Sequence, residues 1–395
     1  MEYARRSMQR LGFLKWLLTL ASASRTQSLE SLTRTFHAAI TKHVPIPDDK
    51  RQSFEEYLQL RERRTGDTSY AQRQDLYLSD PEMPSRSGAI TGDLERAGYR
   101  HAVYVEVPTW AARLRFLRAQ NYTLTDRGRV VLLCGDSNST EPSPASSTNP
   151  LLLTLPERYV FMYCLLDADG DFLAAMFRRL LSKEIFARVD AATAALEALE
   201  ELRSTRLKHV SAGRLLELRL KMDKTISAMR NQRQGGGLGP RESVATPRTE
   251  PLVDCGILSK PQADKYEYNF STWGRTFLEE LTSVDSVTHF LENGLSHGFA
   301  SLTCQRVNNG LPELRIVEHA YTDLRSGLGY VSLRELSLLT VAQLLYSPAY
   351  SLVEIARVED ALKRASSESG RMVRLALGRS GGIAQVRIDK RSFMP

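Results

Sequence analysis

Apolar residues recur at helical spacing through the central part of the chain. Tyr159, Met162, Tyr163 and Leu166 form one set, and Phe172, Met176, Phe177 and Leu180 a second. They predict two helices separated by a turn at Asp167-Ala-Asp-Gly-Asp171, with Asp169 or Asp171 capping the second. The Ala/Leu/Glu-rich segment 187–205 has strong helix propensity, and 206–230 continues the helical period with a basic, polar face. Residues 184–230 therefore read as a helical insertion suited to a protein partner.

The period switches at "LVDCGILSKPQADKYEYNFSTWGRTFL", residues 252–278. Gly256 suits the left-handed position just past a helix end. Leu258 to Ser271 predicts two short strands around "KPQAD", with Tyr266, Tyr268 and Phe270 on one face. Ser271 or Thr272 then caps a helix that returns Phe277, Leu278 and Leu281 to the core. The same grammar stands earlier in "PTWAARLRFLRAQNYTLTDRGRVVLL". There Pro108 opens a helix, Trp110, Leu114 and Leu117 form its stripe, and Thr125 caps the next one. Its ribbon is nearly absent, so this copy is degenerate or very tightly turned. A third version lies near the C-terminus, with helices expected at about 313–325, 332–346 and 351–366. The capping boxes Ser332-Leu-Arg-Glu335 and Ser351-Leu-Val-Glu354 open the last two. A period-two hairpin with its tip at Gly378-Arg-Ser-Gly-Gly382 follows.

Polar stretches at 61–88, 136–150 and 231–245 read as loops or linkers. They divide the chain into an N-terminal helical domain, 1–135, a linker at 136–150, a middle domain, 151–295, and a C-terminal domain, 300–395. The expected fold class is mainly α with small β-hairpins.

The recurring helix, glycine, hairpin and helix resemble the winged helix-turn-helix superfamily of DNA-binding proteins. The resemblance covers about half of the chain and rests on "LVDCGIL…YEYNFSTWGRTFL" and "RLRFLRAQNYTLTDRG", with no single family matched. It implies tandem winged-helix units in which the helix before each wing enters the major groove and the wing touches phosphate or minor groove. Mapped residue by residue, it implicates Arg113, Arg115 and Arg118 in the first copy, and Arg248, Lys260 and Lys265 in the second. In the third it implicates Arg357, Lys363 and Arg364 on the helix, with Arg374, Arg379 and Arg387 on the hairpin. Pro251 departs from the pattern: the helix before Gly256 is kinked or runs only about one turn beyond that proline. That copy suits protein contact as well as DNA.

Composition agrees with such a partner without requiring it. The 395 residues carry a net charge of +7, and 42 of the 53 basic residues are arginine. Arginine grips phosphate bidentately, although codon usage alone also produces this bias. The basic N-terminus has the outline of a signal peptide, but Lys15 interrupts its short apolar run, and it reads as an amphipathic helix of a cytoplasmic protein; an organellar transit peptide shares its composition. No apolar run has membrane-spanning length, so no membrane partner is expected.

Searches for catalytic chemistry return nothing. Asp167–Asp171 has its glycine at the fourth place of a calcium loop rather than the sixth. His289, His297 and Cys304 do not have zinc spacing, and Cys134, Cys164, Cys255 and Cys304 stand far apart, as buried free thiols. "GGGLG" lacks the Lys-Ser or Lys-Thr of a phosphate loop. The expectation is a non-enzymatic protein without metal or cofactor that binds double-stranded DNA. It would act as a regulator or as the DNA-engaging subunit of a DNA-processing or phage-defence complex. The alternative is a scaffold subunit whose winged helices bind a partner protein such as an ATPase or nuclease.

Overall fold

The computed structural model describes residues 11–23, 28–41, 107–108, 110–135, 153–205, 212–231, 240–261, 267–303, 305–325, 327, 329–346, 350–368, 372–378 and 383–389. The expected loops at 61–88 and 136–150, Cys304, Lys265 and Arg379 lie outside these residues.

The central element is α4 (Leu155–Leu180), preceded here by α1 (Leu11–Ser22), α2 (Leu29–Thr41) and α3 (Asp126–Gly135). Thr154 starts α4 with a reciprocal box. Its hydroxyl accepts the Glu157 N–H, and Glu157 Oε2 accepts the Thr154 N–H at 2.7 Å. Lys15 of α1 reaches Glu157 Oε1 at 2.8 Å, which seats α1 on the start of α4. The two helices expected on either side of Asp167–Asp171 meet there at a kink: Asp169 leaves helical geometry (φ −147°, ψ 20°), a break of one residue rather than a full turn. α4 is thus two helical segments joined at Asp169.

After α4 come β1 (Ile185–Ala187), α5 (Arg188–Thr205), α6 (Ala212–Arg230), α7 (Pro240–Asp254), β2 (Leu258–Ser259) and β3 (Glu267–Phe270). The three strands form an antiparallel sheet in the order β1-β3-β2. Phe186 stacks on Tyr268 across it, ring centroids 5.3 Å apart. β1 and α5 thus belong to the sheet unit, and α6 is the added helix. The stretch 231–245, read as a linker, already turns helical at Pro240.

Next follow α8 (Thr272–Ser283), α9 (Val287–Asn293), α10 (Leu295–Thr303), α11 (Leu314–Leu324), β4 (Val331–Ser332), α12 (Leu333–Leu344), α13 (Ile355–Glu368), β5 (Val373–Leu377) and β6 (Ile383–Ile388). The second sheet has the order β4-β6-β5. Setting α6 aside, both units run helix, strand, helix, helix, strand, strand, and both place the third strand in the middle of the sheet.

A repeated closure explains the glycines. Before the first ribbon, Arg115 N–H bonds Ala112 O and Phe116 N–H bonds Ala111 O. Before the second, Gly256 N–H bonds Val253 O and Ile257 N–H bonds Leu252 O. This paired pattern puts the residue past the helix in the left-handed region, φ 64° at Arg115 and 80° at Gly256. The ribbon then opens at Leu117↔Leu124, at Leu258↔Phe270 and, in the C-terminal unit, at Val373↔Ile388. The neighbouring bonds Thr125 N–H to Phe116 O, Ser271 N–H to Ile257 O and Asp389 N–H to Met372 O close it, at 2.9–3.0 Å. Thr125 and Ser271 then cap α3 and α8 through Gly128 N–H and Gly274 N–H, as expected. The first ribbon is a single bridge on a tight turn.

The two expected C-terminal capping boxes form differently. The Ser332 hydroxyl turns to the Glu335 carboxylate rather than to the backbone. Residues 351–354 precede α13 without being helical. Glu354 reaches instead to the start of α10, accepting the Ser296 N–H at 3.2 Å and the His297 N–H at 3.1 Å. A helix N-terminus elsewhere in the chain has taken the carboxylate that the sequence assigned to its own helix.

One connected core draws on all these elements. Arg127 of α3 is buried against it, with Nη1 2.7 Å from Asp167 of α4 and Nε 3.1 Å from Glu335 of α12. Among the described residues no helix is long and apolar enough to cross a membrane.

Candidate nucleic-acid interface

The helix before a ribbon reads DNA only if one of its faces is open. In the middle unit that helix is α7, and residues 244–252 are buried without interruption beneath α1, α4, α5 and α6. Arg248 is therefore no surface cation. Its Nη2 stands 2.7 Å from Asp169 Oδ2, Nη1 donates to Val244 O, and the guanidinium covers the Phe172 ring at 4.5 Å. Lys260 is drawn inward too, 2.8 Å from the buried Glu250, which also accepts the Tyr268 hydroxyl at 2.6 Å. Both residues leave the set of DNA contacts, because burying an arginine or lysine demands a carboxylate partner, and each has found one.

The C-terminal unit is arranged the other way. α13 buries Ile355, Val358, Ala361, Leu362 and Ala365, and leaves Arg357, Asp360, Lys363, Arg364, Ser367 and Glu368 in solvent. Arg357 has no side-chain partner among the described residues. Lys363 pairs with Asp360 at 3.4 Å and Arg364 with Glu368 at 2.7 Å, both on the exposed face. Such surface pairs contribute little and exchange readily for other anions.

The ribbon packs against α13 through β5. Arg374 and Arg387 sit directly opposite each other on β5 and β6, and both approach Asp389. Beyond them Leu377, Ile383, Ala384 and Gln385 are exposed toward the tip. Residues 351–395 carry nine basic and five acidic side chains, a net +4 within the whole chain's +7.

In the first copy Arg113, Arg115 and Arg118 are all exposed, with no side-chain partner among the described residues. Arg113 ends the 110–113 helical segment, Arg115 stands on the turn after it, and Arg118 follows Leu117 of the Leu117↔Leu124 bridge.

Carboxylates with displaced ionisation lie behind these surfaces. Burial pushes Glu354 up, against the pull of the Ser296 and His297 N–H groups. Burial likewise raises Glu359, although Arg334 lies 3.1 Å away and opposes the shift. No metal-type cluster exists among the described residues. Sequence reasoning missed the role of Asp389. Its signal was available: an acidic residue at the position where Thr125 and Ser271 close the other two ribbons.

Compared with known protein families, curated proteins and solved structures, the chain matches none of them.

Proposed function

We propose that the chain is a duplex-DNA-binding protein of the winged-helix kind, contacting DNA through its C-terminal unit and using its middle unit as a packing hub. The shared order of elements and the third-strand-central sheets support the winged-helix reading. The observation that carries the DNA reading is the contrast between α13 and α7. α13 leaves Arg357, Lys363 and Arg364 open, and the ribbon packed against it leaves Arg374 and Arg387 partly open, whereas α7 is enclosed. Phosphate contacts supply most of the affinity, and Arg113, Arg115 and Arg118 add a second basic patch that raises effective concentration. The protein then works as a regulator or as the DNA-engaging subunit of a larger complex.

A mobility-shift series with duplex DNA across salt concentrations tests this. Binding should weaken steeply as salt rises, and Arg357→Ala should flatten the log–log slope by about 1. No binding at low salt would sink the reading.

A scaffold role is the second reading. Leu216 and Leu220, four residues apart on α6, are 62% and 61% exposed, and Leu377 is 72% exposed. Exposed apolar side chains of this size favour protein contact. Salt-insensitive association with a protein, without DNA binding, would favour this reading.

A further inference from the structure

We propose that Asp389 is a positioning residue that presents Arg374 and Arg387 as one paired unit to the phosphates of a DNA strand; the inference rests on the DNA-binding reading above. The two arginines are register partners on antiparallel strands, where like charges directly opposite repel. Asp389 removes the conflict. Its Oδ2 lies 3.3 Å from Arg374 Nε and its Oδ1 3.2 Å from Arg387 Nε. One carboxylate thus spans both side chains.

Two features make this an alignment device. The carboxylate is anchored, because Asp389 N–H bonds Met372 O at 2.9 Å and closes the base of the ribbon. The nearest approach to each arginine is through Nε, on the side edge of the guanidinium, rather than through the outer Nη pair that forks a phosphate. Arg387 is steadied further by the Tyr330 ring, 6.0 Å from its guanidinium carbon. Holding two flexible side chains in place before binding lowers the ordering cost of the contact.

Charge alone makes the opposite forecast, which gives the test its sign. A carboxylate in a phosphate-binding surface repels DNA, so its removal should tighten binding if it does nothing else. The experiment titrates a fluorescent mixed-sequence duplex with the full chain at fixed low salt. Positioning expects Asp389→Ala to weaken binding several-fold although the protein gains a positive charge, and Asp389→Asn to weaken it less. Unchanged or tighter binding by both would overturn the proposal while leaving the DNA reading intact. In an Arg374→Ala/Arg387→Ala background, Asp389→Ala should have no further effect. An undiminished loss there would assign Asp389 a merely structural role and also overturn the proposal. If Asp389→Ala melts early, Asp389→Asn, which keeps an acceptor, carries the measurement. A wild-type chain that fails to bind the duplex overturns both readings at once.

Discussion

The guanidinium of Arg248 lies 2.7 Å from the carboxylate of Asp169, and both side chains are buried. A residue in α7, the helix that the sequence marks for DNA reading, is thereby tied to the one non-helical position of α4, 79 residues earlier. Removing either partner leaves a charge buried and uncompensated. Arg248→Ala and Asp169→Ala should each cost roughly 3–5 kcal/mol in urea unfolding. Arg357→Ala, on the open face of α13, should move the same curve very little. Equal, small effects at Arg248 and Arg357 would contradict the burial of α7.

Gly128 and Gly274 occupy the same place in two ribbon closures. A Cβ at Gly128 would meet Phe116 O at 2.3 Å, and one at Gly274 would meet Ile257 O at 2.1 Å. Because the obstacle is backbone, it cannot swing aside. Gly128→Ala and Gly274→Ala should each destabilise by about 1–3 kcal/mol or more, whereas an alanine at an exposed helical glycine would normally stabilise. A gain in stability at either site would refute the shared closure.

Glu354 carries the pH prediction. Burial raises its pKa in the folded chain despite the two N–H groups it accepts. The native state therefore holds this proton more tightly than the unfolded chain does. The stability it contributes is complete below the unfolded carboxylate pKa and is lost as pH rises through the raised native value. Relative to wild type, Glu354→Gln should accordingly gain stability between roughly pH 4 and roughly pH 7, whatever its absolute offset. Urea melts at the two ends measure this, and a difference that falls with pH would count against it.

Three thiols should be silent in the native protein. Cys134, Cys164 and Cys255 are buried and free. Burial pushes Cys164 up to about 12, with Arg127 opposing, and raises Cys134 and Cys255 as well. In a Cys304→Ser chain at roughly pH 8, a thiol reagent should label none of them until urea is added. Rapid native labelling would show that the α4 core opens easily.

Much of the architecture was legible from local pattern, because local pattern reflects local energetics. Gly256, Thr125 and Ser271 announce ribbon closures through backbone geometry and capping, which need only near neighbours. Asp167–Asp171 shows the same local preference as a break at Asp169, shorter than the full turn expected, with buried residues on both sides of the kink. Glu354 misled through competition, since two backbone donors 57 residues or more away outbid its own helix.

The sequence by itself determined most of the helices, the hairpin ribbons and the dominance of arginine in the positive charge, since spacing, capping and composition are properties of neighbouring residues. Only the tertiary structure decided which arginines meet solvent. Arg248 and Arg357 look alike along the chain, each on a polar-faced helix before a ribbon. One is enclosed by α1, α4, α5 and α6 and paired with Asp169, while the other remains open. That outcome depends on what other segments bring to each helix face, and the cost of burying a charge then dictates the partner it must find.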